Sequence, residues 1–79
     1  VLMEQRDLAA AVSAYRASLE IRGRLAASDP GNADWQRGLS VSHQRLGDVL
    51  MARGDMPGAA AAYRASHDIF VRLAAADPT

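Results

Sequence analysis

Displaced by 48 positions, the chain matches itself. Residues 1–31, VLMEQRDLAAAVSAYRASLEIRGRLAASDPG, lie on residues 49–79, VLMARGDMPGAAAAYRASHDIFVRLAAADPT, without a gap, and 17 of the 31 pairs are identical. Such identity inside one short chain points to duplication of a structural unit, and a duplicated unit must be able to lie beside its own copy. The stretch from Leu46 to Tyr63, LGDVLMARGDMPGAAAAY, says what the unit is. Gly54 can take the left-handed conformation that closes a helix, and Asp55 can cap the next helix with its side-chain oxygen. Pro57 comes next in the first turn, where a missing N–H costs nothing. Small residues on both sides, Gly47 and Ala59 to Ala62, allow two backbones to approach closely. The stretch therefore specifies a helical hairpin.

The repeat register divides the chain. Val1-Leu2-Met3 matches Val49-Leu50-Met51, near the end of the hairpin's first helix, so the chain is expected to start inside one repeat. Pro78-Thr79 is expected to stop it at the loop before another. Residues 1–31 then hold the end of one repeat, mainly its second helix over about Leu8 to Ser28. Residues 32–79 hold one complete hairpin, about Ala33 to Arg53 and Met56 to Ala76. The expected fold is a single all-α piece of three long helices. Between the first two, SDPGNADW is a stop and then a start: Pro30 disfavours helix at Asp29, Gly31 permits the turn, and Asn32 or Asp34 can cap the middle helix. Asp77-Pro78 repeats the stop.

Apolar stripes of helical period run along each segment. In the middle helix they are Leu39, His43, Leu46 and Leu50, with Trp35 one turn upstream. The last helix carries Ala59, Ala62, Tyr63, Ser66, Ile69, Phe70 and Leu73, and the first repeats this as Ala11, Ala14, Tyr15, Ser18, Ile21 and Leu25. Opposite them stand Arg16, Glu20, Arg24 and their counterparts Arg64, Asp68, Arg72, whose spacing of four suits ion pairs of a few tenths of a kcal/mol on solvated faces.

Composition bounds the function. Lys+Arg and Asp+Glu are both 9, so there is no global field to draw in a phosphate backbone, and nucleic acid is not an expected partner. The absence of cysteine excludes a disulfide framework and thiolate metal sites. No apolar run reaches the roughly 20 residues that span a bilayer, and no signal peptide opens the chain, so a soluble cytoplasmic protein without a membrane partner is expected. His43 and His67, beside Asp48 and Asp68, lack the spacing that would place two ligands on one helix face. His43 lies on the apolar stripe and reads as a packed, hydrogen-bonded residue, while His67 stands where the other copy has Leu19. No phosphate loop or nucleophile elbow occurs, so no catalytic, metal or cofactor residues are assigned and the chain is read as a non-enzyme. Arg53-Gly54-Asp55 also spells a cell-adhesion tripeptide, but the turn accounts for all three residues, and the other copy, Gln5-Arg6-Asp7, keeps only the aspartate.

The order His43-x2-Leu46-Gly47-x2-Leu50, then Ala59-x3-Tyr63, resembles the tetratricopeptide repeat signature, with its Leu-Gly pair in the first helix and its Ala and aromatic residue in the second. His43 stands where the family often has Trp and Leu50 where it often has Tyr, and the period of 48 exceeds the family's usual value of about 34. Shared equally, the excess lengthens each helix by about two turns, as an antiparallel pair requires if neither end is to project. The resemblance implies an α-solenoid of tandem hairpins, similar to the long-unit arrays of kinesin light chains and of many large bacterial repeat proteins, which are protein-binding scaffolds. In that family first helices line the concave side, which implies a partner-binding face of Arg37, Val41, Gln44, Asp48 and Met51 on the middle helix. The family's Lys/Asn carboxylate clamp is not reproduced.

Two functions are then expected in alternative. One is a protein- or peptide-binding scaffold segment from a longer array. The other is a purely structural or self-assembling helical module with no separate ligand. For the second, the first helix's apolar face of Ala11, Tyr15, Ser18, Ile21 and Leu25 expects a partner helix of which only Val1-Leu2-Met3 is present. Self-association is then expected, by end-to-end stacking in preference to a helix swap.

Overall fold

A computed structural model describes residues 5–76, with side-chain surroundings from Asp7 to Ala76. The described residues form α1 (Gln5–Ser28), α2 (Ala33–Ala52) and α3 (Met56–Ala76), with no strand among them. Helix α1 begins three residues before the expected Leu8, and α2 ends one residue before Arg53, which is its C-cap. The expected roles of Val1-Leu2-Met3, of Asp77-Pro78 and of Pro78-Thr79 lie outside the described residues.

Both connections obey local rules. Asn32, and not Asp34, caps α2: its side chain accepts a hydrogen bond from the Trp35 amide at 3.1 Å, while Asp34 pairs with Arg37 in the first turn. At the other end of α2, the Gly54 amide donates to Met51 O and the Asp55 amide to Leu50 O, at 3.0 and 2.9 Å. These are the paired bonds of a Schellman motif, and they need a left-handed residue, which Gly54 supplies with φ 82°. Asp55 then accepts from the Gly58 amide at 3.0 Å and caps α3. Gly31 uses no such freedom, since Gly54 alone among the described residues has positive φ.

The helices run antiparallel, with α2 in the middle. Ser40 meets Ser66 and Gly47 meets Tyr63 along α3, while Gln36 reaches Ala26 and Arg22 lies over Gly38 along α1. The backbones of α1 and α3 do not approach each other. One core, Val12, Leu46, Leu50, Ala59 and Ala62, draws on all three helices, with Tyr15, Leu19, Val49 and Tyr63 packed on its margin.

Being covered on two sides, α2 buries a wider arc than the expected stripe of Leu39, His43, Leu46 and Leu50. Ser40, Ser42 and Gly47 are buried as well, and Trp35 keeps 38% of its surface exposed. Ser40 Oγ donates to Ser66 O at 3.0 Å and lies 2.9 Å from Ser66 Oγ, so this hydroxyl is satisfied inside the interface. His43 is half-buried, and it makes no side-chain hydrogen bond among the described residues, contrary to expectation. Partial burial leaves its ring in reach of water.

The stripe expected for α3 is buried or half-buried except at Phe70, which is 66% exposed. The stripe expected for α1 needs a larger correction. Helix α1 meets α2 through Leu8, Val12 and Ala26, with Leu19 and Tyr15 half-buried, whereas Ala14, Ile21 and Leu25 face outward. Lying against the opposite flank of α2, α1 presents a different side from the one its copy α3 presents. The charged ladders are solvated as expected, but only Glu20 and Arg24 pair; Arg64, Asp68 and Arg72 form no ion pair among the described residues. Exposed pairs contribute almost nothing net, so the shorter aspartate leaves its arginines hydrated.

Gly47 is the closest approach in the hairpin. A Cβ there would lie 2.8 to 3.0 Å from three Tyr63 ring atoms. Replacing Gly47 with Leu should overpack the contact and cost about 1–3 kcal/mol or more, a drop of at least about 4 °C in Tm for a chain of this size. Thermal melting by circular dichroism measures this, and an unchanged Tm would disprove the contact.

Candidate functional site, the groove between α1 and α2

The outward side of α1 and the start of α2 enclose an apolar hollow of about 460 Å³, lined by Ser18, Ile21, Arg22, Leu25, Asp34 and Trp35. It continues into a second, more polar hollow of about 550 Å³ between Tyr15, Ser18 and Arg22 on α1 and Arg37, Val41 and Arg45 on α2. The two share Ser18, Arg22 and Asp34, and so form one groove along the helix pair. Its floor is apolar at the loop end, where Ile21 is 60%, Leu25 43% and Trp35 38% exposed. Its walls carry Arg22, Arg37 and Arg45 against the single carboxylate Asp34, which Arg37 engages at 3.2 Å. Arg22 Nε donates to Ser18 Oγ at 3.2 Å, which holds its guanidinium above Gly38. A surface of this kind suits an amphipathic segment: exposed apolar side chains for the buried face and arginines at the rim for carboxylates.

All five residues expected to bind a partner, Arg37, Val41, Gln44, Asp48 and Met51, are exposed on α2. They do not form one pocket. Arg37 and Val41 belong to the groove wall. Asp48 turns to α3, where its carboxylate accepts the Tyr63 hydroxyl proton, and Gln44 and Met51 line no part of the groove. Spacing along α2 located its solvent-facing side but not which edge a neighbouring helix would raise into a wall. Trp35, Arg22 and Arg45 were missed as site residues. The offset of 48 was the signal that pointed to the groove's α1 side, because it marked Tyr15, Ser18, Ile21 and Leu25 as a face awaiting cover.

Two groups outside the groove, Tyr63 on α3 and His43 on α2, titrate away from their ordinary values. The hydrogen bond to Asp48, joined by burial and the carboxylate's charge, raises the Tyr63 pKa above 10.0. Partial burial lowers the His43 pKa below 6.5. Among the described residues no three His, Asp or Glu side chains converge as a metal site would require, and none of the helices is long and apolar enough to cross a membrane. No family model, curated protein or solved structure gives a significant match to the chain.

Both shifts have measurable consequences. Replacing Asp48 with Asn should bring the Tyr63 titration down towards the ordinary tyrosine value, read as tyrosinate absorbance; an unmoved titration would remove Asp48 as the cause. Because His43 binds its proton more weakly folded than unfolded, its contribution to stability is full above about pH 6.5 and is lost as pH falls through the window below. Denaturant unfolding at a series of pH values should show stability falling on acidification. His43→Leu should flatten that slope.

Proposed function

We propose that the chain is a non-catalytic segment of a tetratricopeptide-like repeat array that binds a protein or peptide partner along the α1–α2 groove. The exposed apolar floor of Ile21, Leu25 and Trp35 beside an arginine rim is the observation that carries this reading. The internal period of 48, the antiparallel order of the three helices and the Leu46-Gly47 pair packed near Ala59 and Tyr63 support the array as its context. Arg37 and Val41 would contact the partner from the groove wall. Gln44, Asp48 and Met51 would extend the surface along the exposed face of α2.

A second reading, a structural or self-assembling module, draws support from the exposed Met56, Phe70 and Val71 of α3. Those residues and the α1 face together give the helix stack an apolar surface on both flanks.

Trp35 is the only tryptophan of the chain and lies in the groove, so it reports occupancy directly. Peptides selected from a displayed helical library and lacking tryptophan should shift Trp35 emission on binding, and Ile21→Asp should weaken them by on the order of tenfold or more. If the selected peptides left Trp35 emission unchanged and bound the Ile21→Asp chain equally well, the groove would not be the site.

A further inference from the structure

The polar half of the groove gathers more positive charge than its own carboxylates balance. Arg22 of α1 and Arg37 and Arg45 of α2 line one hollow of about 550 Å³, in which Asp34 is the single carboxylate. Three guanidiniums against one carboxylate leave two positive charges, in a chain whose formal net charge is zero. Two of the three are held in place: Arg22 Nε donates to Ser18 Oγ at 3.2 Å, and Arg37 engages Asp34 at the same distance. Gly38 makes the room, since a Cβ there would stand 2.8 Å from an Arg22 terminal nitrogen. The repeat does not require a cation at this place, because the residue 48 positions after Arg22 is Phe70. A second observation points the same way. Ser42 is 7% exposed and lines the hollow, yet its hydroxyl makes no hydrogen bond among the described residues. It is not sealed in, for no side-chain oxygen among them is both enclosed and without a partner. Buried hydroxyls are as a rule hydrogen-bonded, and the hollow is where this one meets its partner.

We propose that this hollow binds a phosphoryl group, the dianionic end of a phosphate monoester. Such a group carries about −1.5 to −2 charges at pH 7 and three acceptor oxygens, which matches an excess of two positive charges and donors spread over two helices. A carboxylate matches less well, having one charge and its two oxygens in one plane. Guanidiniums suit the task because they are always charged and present their donors in a fork that fits phosphate oxygens. The Ser42 hydroxyl adds a neutral donor between Gly38 and Arg45, which lie on the same face of α2. The inference goes beyond the reading of the groove as a peptide surface, since the charge excess belongs to α1 and α2 themselves and faces whatever lies over the apolar floor. That floor, Ile21, Leu25 and Trp35, joins the polar hollow at Ser18 and Arg22, so the ester it suits has an apolar organic part.

The probes are inorganic phosphate and phenyl phosphate, with benzoate as the carboxylate of the same ring, titrated into the full chain at about 0.15 M chloride so that screening competes. Arginine Nε–H signals and the Ser42 amide, followed by NMR, read the site. Saturable shifts centred on Arg22, Arg37, Arg45 and Ser42 are expected, with phenyl phosphate bound on the order of tenfold more tightly than benzoate. Arg22→Gln and Arg45→Gln should each weaken phenyl phosphate by on the order of tenfold, and Ser42→Ala by a smaller factor. Circular dichroism checks that each variant keeps the parent helicity. Shifts that rise linearly without saturation, or that Arg64 and Arg72 show equally, would mean an adventitious ion only and overturn the proposal. So would benzoate bound as tightly as phenyl phosphate, or binding unchanged in both arginine variants. The carrier is read from library-selected helices made with serine or with phosphoserine: a gain from phosphoserine that Arg22→Gln abolishes assigns the phosphoryl group to a protein partner, and phenyl phosphate binding without such a gain assigns it to a small ester. If selected helices occupy the groove while phenyl phosphate does not bind, this inference falls and the peptide-binding function stands; if phenyl phosphate binds and no helix does, the reverse holds.

Discussion

The close contact of Gly47 with Tyr63 is the constraint on which the hairpin depends. Two helices usually lie 8–10 Å apart, and the nearer they come the smaller the residues between them must be. Here α2 offers no side chain at position 47, and the Tyr63 ring takes that space. The hydroxyl, carried beyond the contact, reaches Asp48 and donates to it, which fixes the ring's orientation. Ala59 and Ala62 then fall against Leu46 and Leu50, and Ser40 against Ser66. The Schellman turn at Gly54 and the cap at Asp55 bring the chain back at the position this register requires.

Two copies of one helix carry very different shares of the stability. Burying an isoleucine side chain contributes about 1.5–3 kcal/mol, and Ile69 obtains that while Ile21, mostly in water, obtains little of it. Helix α1 is held instead by Leu8, Val12 and Ala26, a side whose counterparts on α3 are Met56, Ala60 and Ala74, all exposed. Each copy thus buries residues that the other leaves open, while Tyr15 and its counterpart Tyr63 are half-buried on the core in both. The consequence is a thin core flanked by apolar surface.

Electrostatics plays little part in holding the helices together. The two ion pairs among the described residues, Glu20–Arg24 and Asp34–Arg37, are exposed and lie within single helices. Among the described residues the polar side chains that join helices are the neutral hydroxyls of Ser40, Ser66 and Tyr63, the Gln36 amide, which donates to Ala26 O, and one carboxylate, Asp48. The arginines line the groove instead, where Arg22, Arg37 and Arg45 outnumber the one carboxylate, Asp34, in a chain whose formal net charge is zero.

The helix limits were legible in the sequence to within a few residues, as were the cap at Asp55 and the left-handed Gly54, while for the cap of α2 the sequence left Asn32 and Asp34 open and the structure chose Asn32. Each depends on hydrogen bonds between residues two to five apart, which the local sequence contains in full. The Gly47 contact was legible too, because only a missing side chain permits it. Which face of a helix is buried was legible on α3 but not on α1. Ala14, Ile21 and Leu25 have the same identities and the same spacing as Ala62, Ile69 and Leu73, so no local reading could separate them. Their difference arises from which neighbour lies against them, and that is a property of the packed helices. The groove has the same origin: Trp35 and Leu25 stand on different helices, and only the antiparallel seating of α1 on α2 brings them into one floor.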